Sequence, residues 1–407
     1  MKLALVIPTY WSRERGVGWK PGDAVYDHPT PLDDEGTLGR AIESLAVLEE
    51  DFTLAVIAVP TSKDIEADVE VKVRRIARSA SHAIDKDVLV FGPSNLEQTH
   101  DILLGARKKG YGDLLQLNGY SNVRNLCLFI PHVLGSDVAV LIDDDEVVED
   151  PLFLSKAREF IGKETGGRPI HGVGGYYLQP EGGYHVKKPF RPWMRHWDKT
   201  ERMNEAFDRF IGKGPRLKET PFVFGGCMII HRELYRKVPF DPGISRGEDI
   251  DYLINTRIFG GTFYLDNRLS VRHMPPPKTH PTWMRIREDI YRFIYERAKL
   301  KGQTRTPRTT IVRPEDLDPY PGCFLKTDLE TKIEKACRLL SQEYLEAGDK
   351  EGSQETLKNI EIARREAVPR HNPFQHLLEL QKRWESLMDY TAAKETRAEL
   401  EKTLHHP

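Results

Sequence analysis

Residues 138–149 read VAVLIDDDEVVE. Five apolar residues, three of them β-branched, run straight into Asp143, Asp144, Asp145 and Glu146. A continuous apolar run ending in polar residues predicts a buried parallel strand that stops at a sheet edge. Ligands of open α/β sheets sit just beyond such strand ends. Four acidic side chains there repel one another unless a cation lies among them, and hard divalent cations choose carboxylate oxygen. The stretch therefore predicts a metal site that holds a phosphorylated ligand. The plain alternative is an acidic turn that ends the strand and caps the helix after Pro151.

The remainder of the chain bounds what such a site could serve. At 407 residues it is too long for one ordinary domain and long enough for a catalytic domain plus an appendage. With 39% hydrophobic residues, 30% charged residues and a formal net charge of −2, it gives no electrostatic case for nucleic acid as a partner. No apolar run approaches the ~20 residues that span a bilayer. The apolar start of MKLALVIPTY is short and has no small-residue cleavage site after it, so it predicts a first core strand rather than a signal peptide. Cys127, Cys227, Cys323 and Cys337 lack metal-type spacing and predict free thiols in a reducing, cytoplasmic compartment.

Strand and helix alternate from the first residue. Residues 3–7 predict a buried strand stopping at Pro8, with Thr9 and Tyr10 at its carboxyl end. A long loop over 11–36 follows, of a length that is usually functional or mobile. Helices are predicted over 37–48, 66–83 and 95–109, and strands over 54–59 and 88–91. This alternation implies a parallel sheet covered on both faces. Ser121 is expected to cap a helix over 122–134 that Gly135 stops. Arg124 and Asn125 lie in its first turn, where a cation opposes the helix dipole unless it meets an anion. Its solvated alternative is an arginine whose stem covers apolar surface. Strands are expected over 173–178 and 222–230, the latter interrupted by Gly225-Gly226, a pair that marks a bulge or a close backbone approach. In segment 187–197, Trp193 and Trp197 alternate with Arg191, Arg195 and His196, which suits either ring stacking on a ligand or packing onto the domain. Glu248 and Asp249 open a helix through Ile258, short strands are expected over 263–265 and 270–271, and His273 follows directly. After the Pro275-Pro276-Pro277 break come a long amphipathic helix over 282–300, an irregular stretch to 327, and three or four helices from 328 to 404. No second copy at a fixed period supports a repeat array.

Taken together, these stations resemble the GT-A fold of the family 2-like glycosyltransferases. VIPTY is similar to that family's first strand, and GYSNVRNLCLFIPHVLGSDVAVLIDDDE to its Arg-Asn helix followed by a strand and a DxD motif. GGCMIIHRELYRKVPFDPGISRGEDIDYLINTRIFGGTFYL is similar to its later block with paired glycines and a Glu-Asp pair. The resemblance implies a Rossmann-like, mostly parallel α/β sheet with helices on both faces over 1–280. An α-helical C-terminal region over 281–407 would be a cap, an oligomer contact or an acceptor platform. It implies a metal-dependent transferase of hexosyl type that moves a sugar from a UDP- or GDP-linked donor to an acceptor hydroxyl. Asp145 and His273 would hold Mn²⁺ or Mg²⁺. Pro8, Thr9, Tyr10, Arg124, Asn125, Asp143, Asp144, Gly225 and Gly226 would line the nucleotide-sugar. Asp249 would be the general base of an inverting reaction, and Glu248 would orient the acceptor.

Two features depart from the family pattern. Residues 60–64, PTSKD, stand where an acidic pair often reads the base, and Asn255 stands where an arginine is common. The acceptor, peripheral membrane contact and homo-oligomerisation through the C-terminal helices stay open. The competing expectations are a sugar-nucleotide nucleotidyltransferase, for which PTYWSRERGVG is a poor glycine-rich loop, and a catalytically silent binding protein of the same fold.

Overall fold

The computed structural model describes residues 1–105, 110–277 and 280–405. Its strands are β1 (Leu3–Ser12), β2 (Thr30–Pro31), β3 (Thr53–Pro60), β4 (Val88–Phe91), β5 (Val138–Leu141) and β6 (Glu146–Val147). A small hairpin, β7 (Glu164–Thr165) and β8 (Arg168–Pro169), precedes β9 (Gly172–Leu178), β10 (Leu217–Glu219), β11 (Met228–His231) and β12 (Phe263–His273). The first helices are α1 (Leu38–Ser44), α2 (Glu66–Ile84), α3 (Pro93–Gly105), α4 (Tyr120–Val133), α5 (Phe153–Phe160), α6 (Lys199–Phe210), α7 (Arg232–Tyr235) and α8 (Glu248–Ile258). Then come α9 (Thr282–Lys301), α10 (Leu329–Glu346), α11 (Lys350–Glu361), α12 (Pro373–Thr391) and α13 (Lys394–Leu404). Part of the helix expected over 95–109 lies outside the described residues. No described helix is long and apolar enough to cross a membrane.

The sheet runs β10-β12-β9-β11-β5-β1-β3-β4. β1 pairs in parallel with β3 and β5, β3 with β4, and β9 with β12, while β11 is antiparallel to both β5 and β9. The carboxyl ends of β1, β5, β9 and β12 therefore share one edge with the turn that enters β11. Alternate residues of β1 feed opposite cores. Leu3, Leu5 and Ile7 join α1, α2 and α5, whereas Ala4 and Val6 join α4, α8 and the C-terminal helices. Burial on both faces is why these strands read as unbroken apolar runs. The mostly parallel α/β sheet with helices on both faces is thus as expected. Helices α9–α13 share an apolar core with α4 and α8, and Trp384 Nε1 donates to the Tyr235 carbonyl at 2.8 Å.

Several local expectations need correction. β1 continues through Pro8 to Ser12. The Val6 carbonyl accepts from Ile142 on the β5 side, and pairing with β5 ends there. Pro8, two residues on, turns its missing N–H toward that open side, where no ladder bond is lost. The glycine pair lies in the turn before β11 rather than inside a strand. The two short strands after α8 are one strand, β12, with an irregular register between Leu265 and Ser270. Ser121 does not cap α4. Its hydroxyl donates to the Ile244 carbonyl at 3.1 Å, and Gly119, at φ 85°, turns the chain into the helix.

A buried polar core joins α8 to α9. Lys299 Nζ lies 2.6 Å from Asp251 Oδ1, 2.8 Å from Asp241 Oδ2 and 3.0 Å from Asn255 Oδ1. Asn255 thus serves the packing of α9. One turn away, Glu296 is fully buried, neither carboxylate oxygen has a hydrogen-bond partner, and Arg292 Nε stands 4.0 Å off. Burial pushes its carboxyl up to about 8 against the opposing charge of Arg292. The folded chain then keeps a proton that the unfolded chain loses near pH 4.5. The associated stability is complete below that pH and disappears as pH rises through about 8. Glu296→Gln removes this titration, so its unfolding free energy relative to the parent should grow by roughly 2–4 kcal/mol between pH 5 and 8. Urea midpoints at the two pH values check this, and a constant difference would refute it.

Candidate active site at the carboxyl edge of the sheet

The acidic run turns sharply after β5, and its side chains part. Asp144 faces inward and accepts from Thr9 Oγ1 at 2.6 Å, while Trp11 Nε1 donates to the same Thr9 oxygen at 2.9 Å. Burial, with Asp145 next to it, pushes the Asp144 carboxyl up to about 8. Asp145 Oδ2 lies 3.3 Å from His273 Nε2. Burial would raise the Asp145 carboxyl, but the His273 bond and charge hold it below the usual range. Register explains the meeting, because β6 returns antiparallel to β12 and sets His273 opposite Glu146. Glu146 itself is buried beneath the glycine turn, its Oε2 accepting from the Asp143 N–H at 3.1 Å.

Arg124 connects this cluster to a second one. It is 4% exposed, with Nη2 2.7 Å from Asp143 and Nε 3.2 Å from Glu248. The solvated alternative is therefore overturned. The anions this helix-start arginine meets are carboxylates of its own chain, although Nη1 is buried without a partner. Glu248 is pushed up to about 7 by burial, with Arg124 opposing. Beside it, Asp249 accepts from the Gly225 N–H at 3.1 Å and the Ile250 N–H at 2.8 Å. Burial raises its carboxyl and Arg292 of α9 is the chief opposing charge. Neither glycine leaves room for a β-carbon unless a paired side chain shifts. A β-carbon on Gly225 would stand 2.7 Å from Arg124 Nη2, and one on Gly226 would collide with the Glu146 carboxylate.

The third part is aromatic. Tyr10, Tyr26 and Tyr120 form a triangle with ring centroids 4.4, 4.9 and 5.2 Å apart. Tyr26 comes from the long loop. Its hydroxyl accepts from the Gly119 N–H at 2.9 Å, and Tyr120 Oη accepts from the Asp27 N–H at 2.6 Å. The loop over 11–36 is thereby fastened across the same edge, with β2 pairing the end of β1. Arg13 ties it to Asp23 at 2.9 Å and to Asp64 at 2.5 Å, so the one acid of the PTSKD stretch already has a cation.

One expected residue does not face the site. Asn125 is fully buried, its amide exchanging bonds of 2.9 and 2.8 Å with the Phe240 backbone. Pro8 is buried within β1, two residues before Tyr10. Trp193 and Trp197 are buried too, the latter against Phe293 and Phe324, so both pack onto the domain. Conversely, Tyr26, Tyr120 and Arg292 belong to the site and were not anticipated, while Glu146, read as part of the acidic run, lies buried beneath it. Tyr120 was legible from its place one turn ahead of Arg124; Arg292, from a remote helix, left no local signal.

Among the described residues, no group of three or more His, Cys, Asp or Glu side chains is arranged to hold a metal ion. Asp145 and His273 offer two donors, both partly exposed at adjoining strand ends. That number suits a hard cation of the Mg²⁺ class, which is commonly held by one or two carboxylates together with substrate phosphates and water.

No family model matches the chain, and no curated protein matches it in sequence. Among solved structures it is similar to the mannosyltransferase PcManGT from Pyrobaculum calidifontis in complex with GDP-Man and Mn²⁺. Identity is 12% over 97% of this chain and 87% of that one, with a TM-score of 0.46. It is also similar to a mycobacterial protein at 16% identity, over 71% and 74% of the two chains, with a TM-score of 0.37. Likenesses of this degree decide nothing about the site.

Proposed function

We propose that the protein is a metal-dependent glycosyltransferase that moves a sugar from a nucleoside-diphosphate donor to an acceptor hydroxyl with inversion. The observation that carries this reading is the convergence of two acidic groups on one sheet edge, Asp143–Asp145 with His273 and Glu248 with Asp249, joined through Arg124. The first group suits a cation and diphosphate, the second a hydroxyl that must lose a proton. Asp145 and His273 would hold the divalent cation, which, when bound, neutralises charge gathering on the departing diphosphate. Tyr10 and Tyr120, partly exposed, offer ring surface to the nucleoside, with Tyr26 buried against both, and the glycine turn lets backbone approach the sugar. The Asp249 carboxylate takes the acceptor proton as the acceptor oxygen bonds to the anomeric carbon. The bond from that carbon to the diphosphate breaks, and the nucleoside diphosphate leaves with the electron pair. Residues 1–280 carry this chemistry, and the C-terminal helices contribute through α9, which supplies Arg292 behind Asp249.

The name for the donor awaits a thermal-shift screen of UDP, GDP, ADP and CDP sugars with and without Mn²⁺. A ligand of the folded state at about 100 times its dissociation constant adds roughly 2.7 kcal/mol. One nucleotide class should therefore stand out, and only with metal. Stabilisation by nucleoside triphosphate and sugar phosphate instead would favour the nucleotidyltransferase. No stabilisation by any nucleotide-sugar would sink the proposal.

A further inference from the structure

A groove of about 1520 Å³ runs between α6, the segment 186–198 and the first turns of α9. Its walls come from segments that leave the edge holding the acidic clusters. Segment 186–198 follows the carboxyl end of β9, α9 follows that of β12, and Arg246 in the groove wall stands two residues before Glu248. Arg246 Nη2 also holds Asp27 at 2.6 Å, next to the tyrosine triangle. By contrast, a cavity of about 740 Å³ lined by Arg257, Gly260, Gly261 and Thr262 lies at the opposite edge, where α8 ends and β12 begins.

The groove's charge differs from that of the chain as a whole. Nine basic and six acidic side chains line it, in a protein of formal net charge −2. Most of its acids are already paired. Asp289 lies 2.6 Å from Lys199, Glu343 2.6 Å from Arg191, and Asp198 and Glu205 lie 2.7 and 2.8 Å from Arg202. Three of its arginines, Arg195, Arg209 and Arg285, have no carboxylate partner among the described residues, Arg209 lying 5.2 Å over the Phe210 ring. Arg285 donates only to Thr282 Oγ1, at 3.2 Å, and its Nε is buried with no acceptor. Arg195 lies 5.6 Å over the exposed ring of Phe190. A guanidinium without a carboxylate partner can take an oxyanion through charge-assisted hydrogen bonds. Lys199, paired with Asp289, is buried among further cations of the groove and α9. It is pushed down to about 8, first by burial and further by Arg292 and Arg246, even with Asp289 beside it.

Building on the transfer reaction above, we propose that this groove binds the acceptor and selects one bearing an oxyanion, a phosphate ester or a carboxylate, through Arg285 and Arg195. With the anionic group held along α9, the acceptor's hydroxyl would reach past Arg246 toward Glu248 and Asp249, which follow it in the chain. The transfer step is then the one written above, with the acceptor's charge unchanged.

The test is binding of matched probes to the full chain with Mn²⁺ and a saturating nucleoside diphosphate, so that phosphate cannot simply enter the donor site. Glucose, glucose 6-phosphate and glucuronate are compared by thermal shift, alongside vesicles of phosphatidylglycerol and of phosphatidylcholine by sedimentation. Glucose 6-phosphate or glucuronate should bind at least about tenfold more tightly than glucose. Arg285→Gln should erase that preference, and Arg285→Lys should restore part of it. Binding confined to phosphatidylglycerol vesicles, and lost in Arg285→Gln, would place the anion on a lipid headgroup and still support the groove's selectivity. Equal binding of charged and neutral probes, or a preference unaltered in Arg285→Gln and Arg195→Gln, would overturn the proposal. Failure of every nucleoside diphosphate to bind, with the anion preference intact, would instead remove the transfer reaction and leave the groove an anion site.

Discussion

Asp249→Asn should lower the transfer rate by about 10²–10⁴-fold while donor binding stays close to that of the parent. The carboxylate sits where it can do this work. One oxygen accepts from the Gly225 N–H at 3.1 Å and the other from the Ile250 N–H at 2.8 Å, so its plane is set by backbone on both sides. Those bonds favour the ionised form, and Arg292 adds charge behind it, while burial outweighs both and raises the carboxyl above its ordinary range. A base raised in this way accepts a proton more readily near neutral pH than a solvated aspartate does. Asparagine preserves the outline and one acceptor oxygen but turns an amide toward the other N–H, a folding cost of about 1–3 kcal/mol. Loss of rate with intact nucleotide binding, measured well below the variant's unfolding temperature, therefore isolates the proton transfer. A rate within tenfold of the parent would remove Asp249 from the role of base and with it the acceptor side of the site.

How far this site could be read from residues alone depends on where each contact is made. The acidic run after β5 was legible because a strand covered on both faces is apolar without interruption, so its end is marked by a change of chemistry. The pair Arg124 and Asn125 shows the limit of that approach. Successive helical residues point about 100° apart, and here Arg124 faces the carboxylates while Asn125 turns to the Phe240 backbone. Adjacent letters of one motif thus have different roles, which only the helix orientation decides. The glycine pair was legible as a close approach, but not as a turn, because what crowds it are Arg124 and Glu146 from distant segments. Arg292 is the extreme case. It lies 43 residues after Asp249, on a helix whose apolar spacing announces only packing, and its guanidinium donates to Tyr320 Oη at 2.6 Å beside the start of α8. A cation is unfavourable at a helix N-terminus, so its position makes sense only with Glu248 and Asp249 in the first turn.

Asp145→Ala should abolish metal-dependent nucleotide binding, a larger loss than changing any other acid of the run. The three aspartates are not equivalent. Asp143 is held by Arg124 at 2.7 Å and Asp144 by Thr9 at 2.6 Å, whereas Asp145 alone stands beside an imidazole, 3.3 Å from His273 Nε2. A carboxylate held below its ordinary range is ionised and ready to bind a cation at neutral pH. Changes to residues that merely support a metal ligand cost about 10–100-fold in affinity. Loss of one of the two proposed protein donors should exceed that, seen as weakened Mn²⁺ binding by paramagnetic resonance even without nucleotide-sugar present. Glu149→Ala is the matching control, since Glu149 is exposed and pairs only with Arg272 at 2.6 Å. Exposed pairs of that kind contribute about 0–1 kcal/mol, so its removal should leave Mn²⁺ affinity where it was. Equal Mn²⁺ binding by the Asp145→Ala and parent proteins would mean that the cation, if it acts, is held elsewhere. The meeting of β6 and β12 that brings His273 to Asp145 would then be a strand closure and no more.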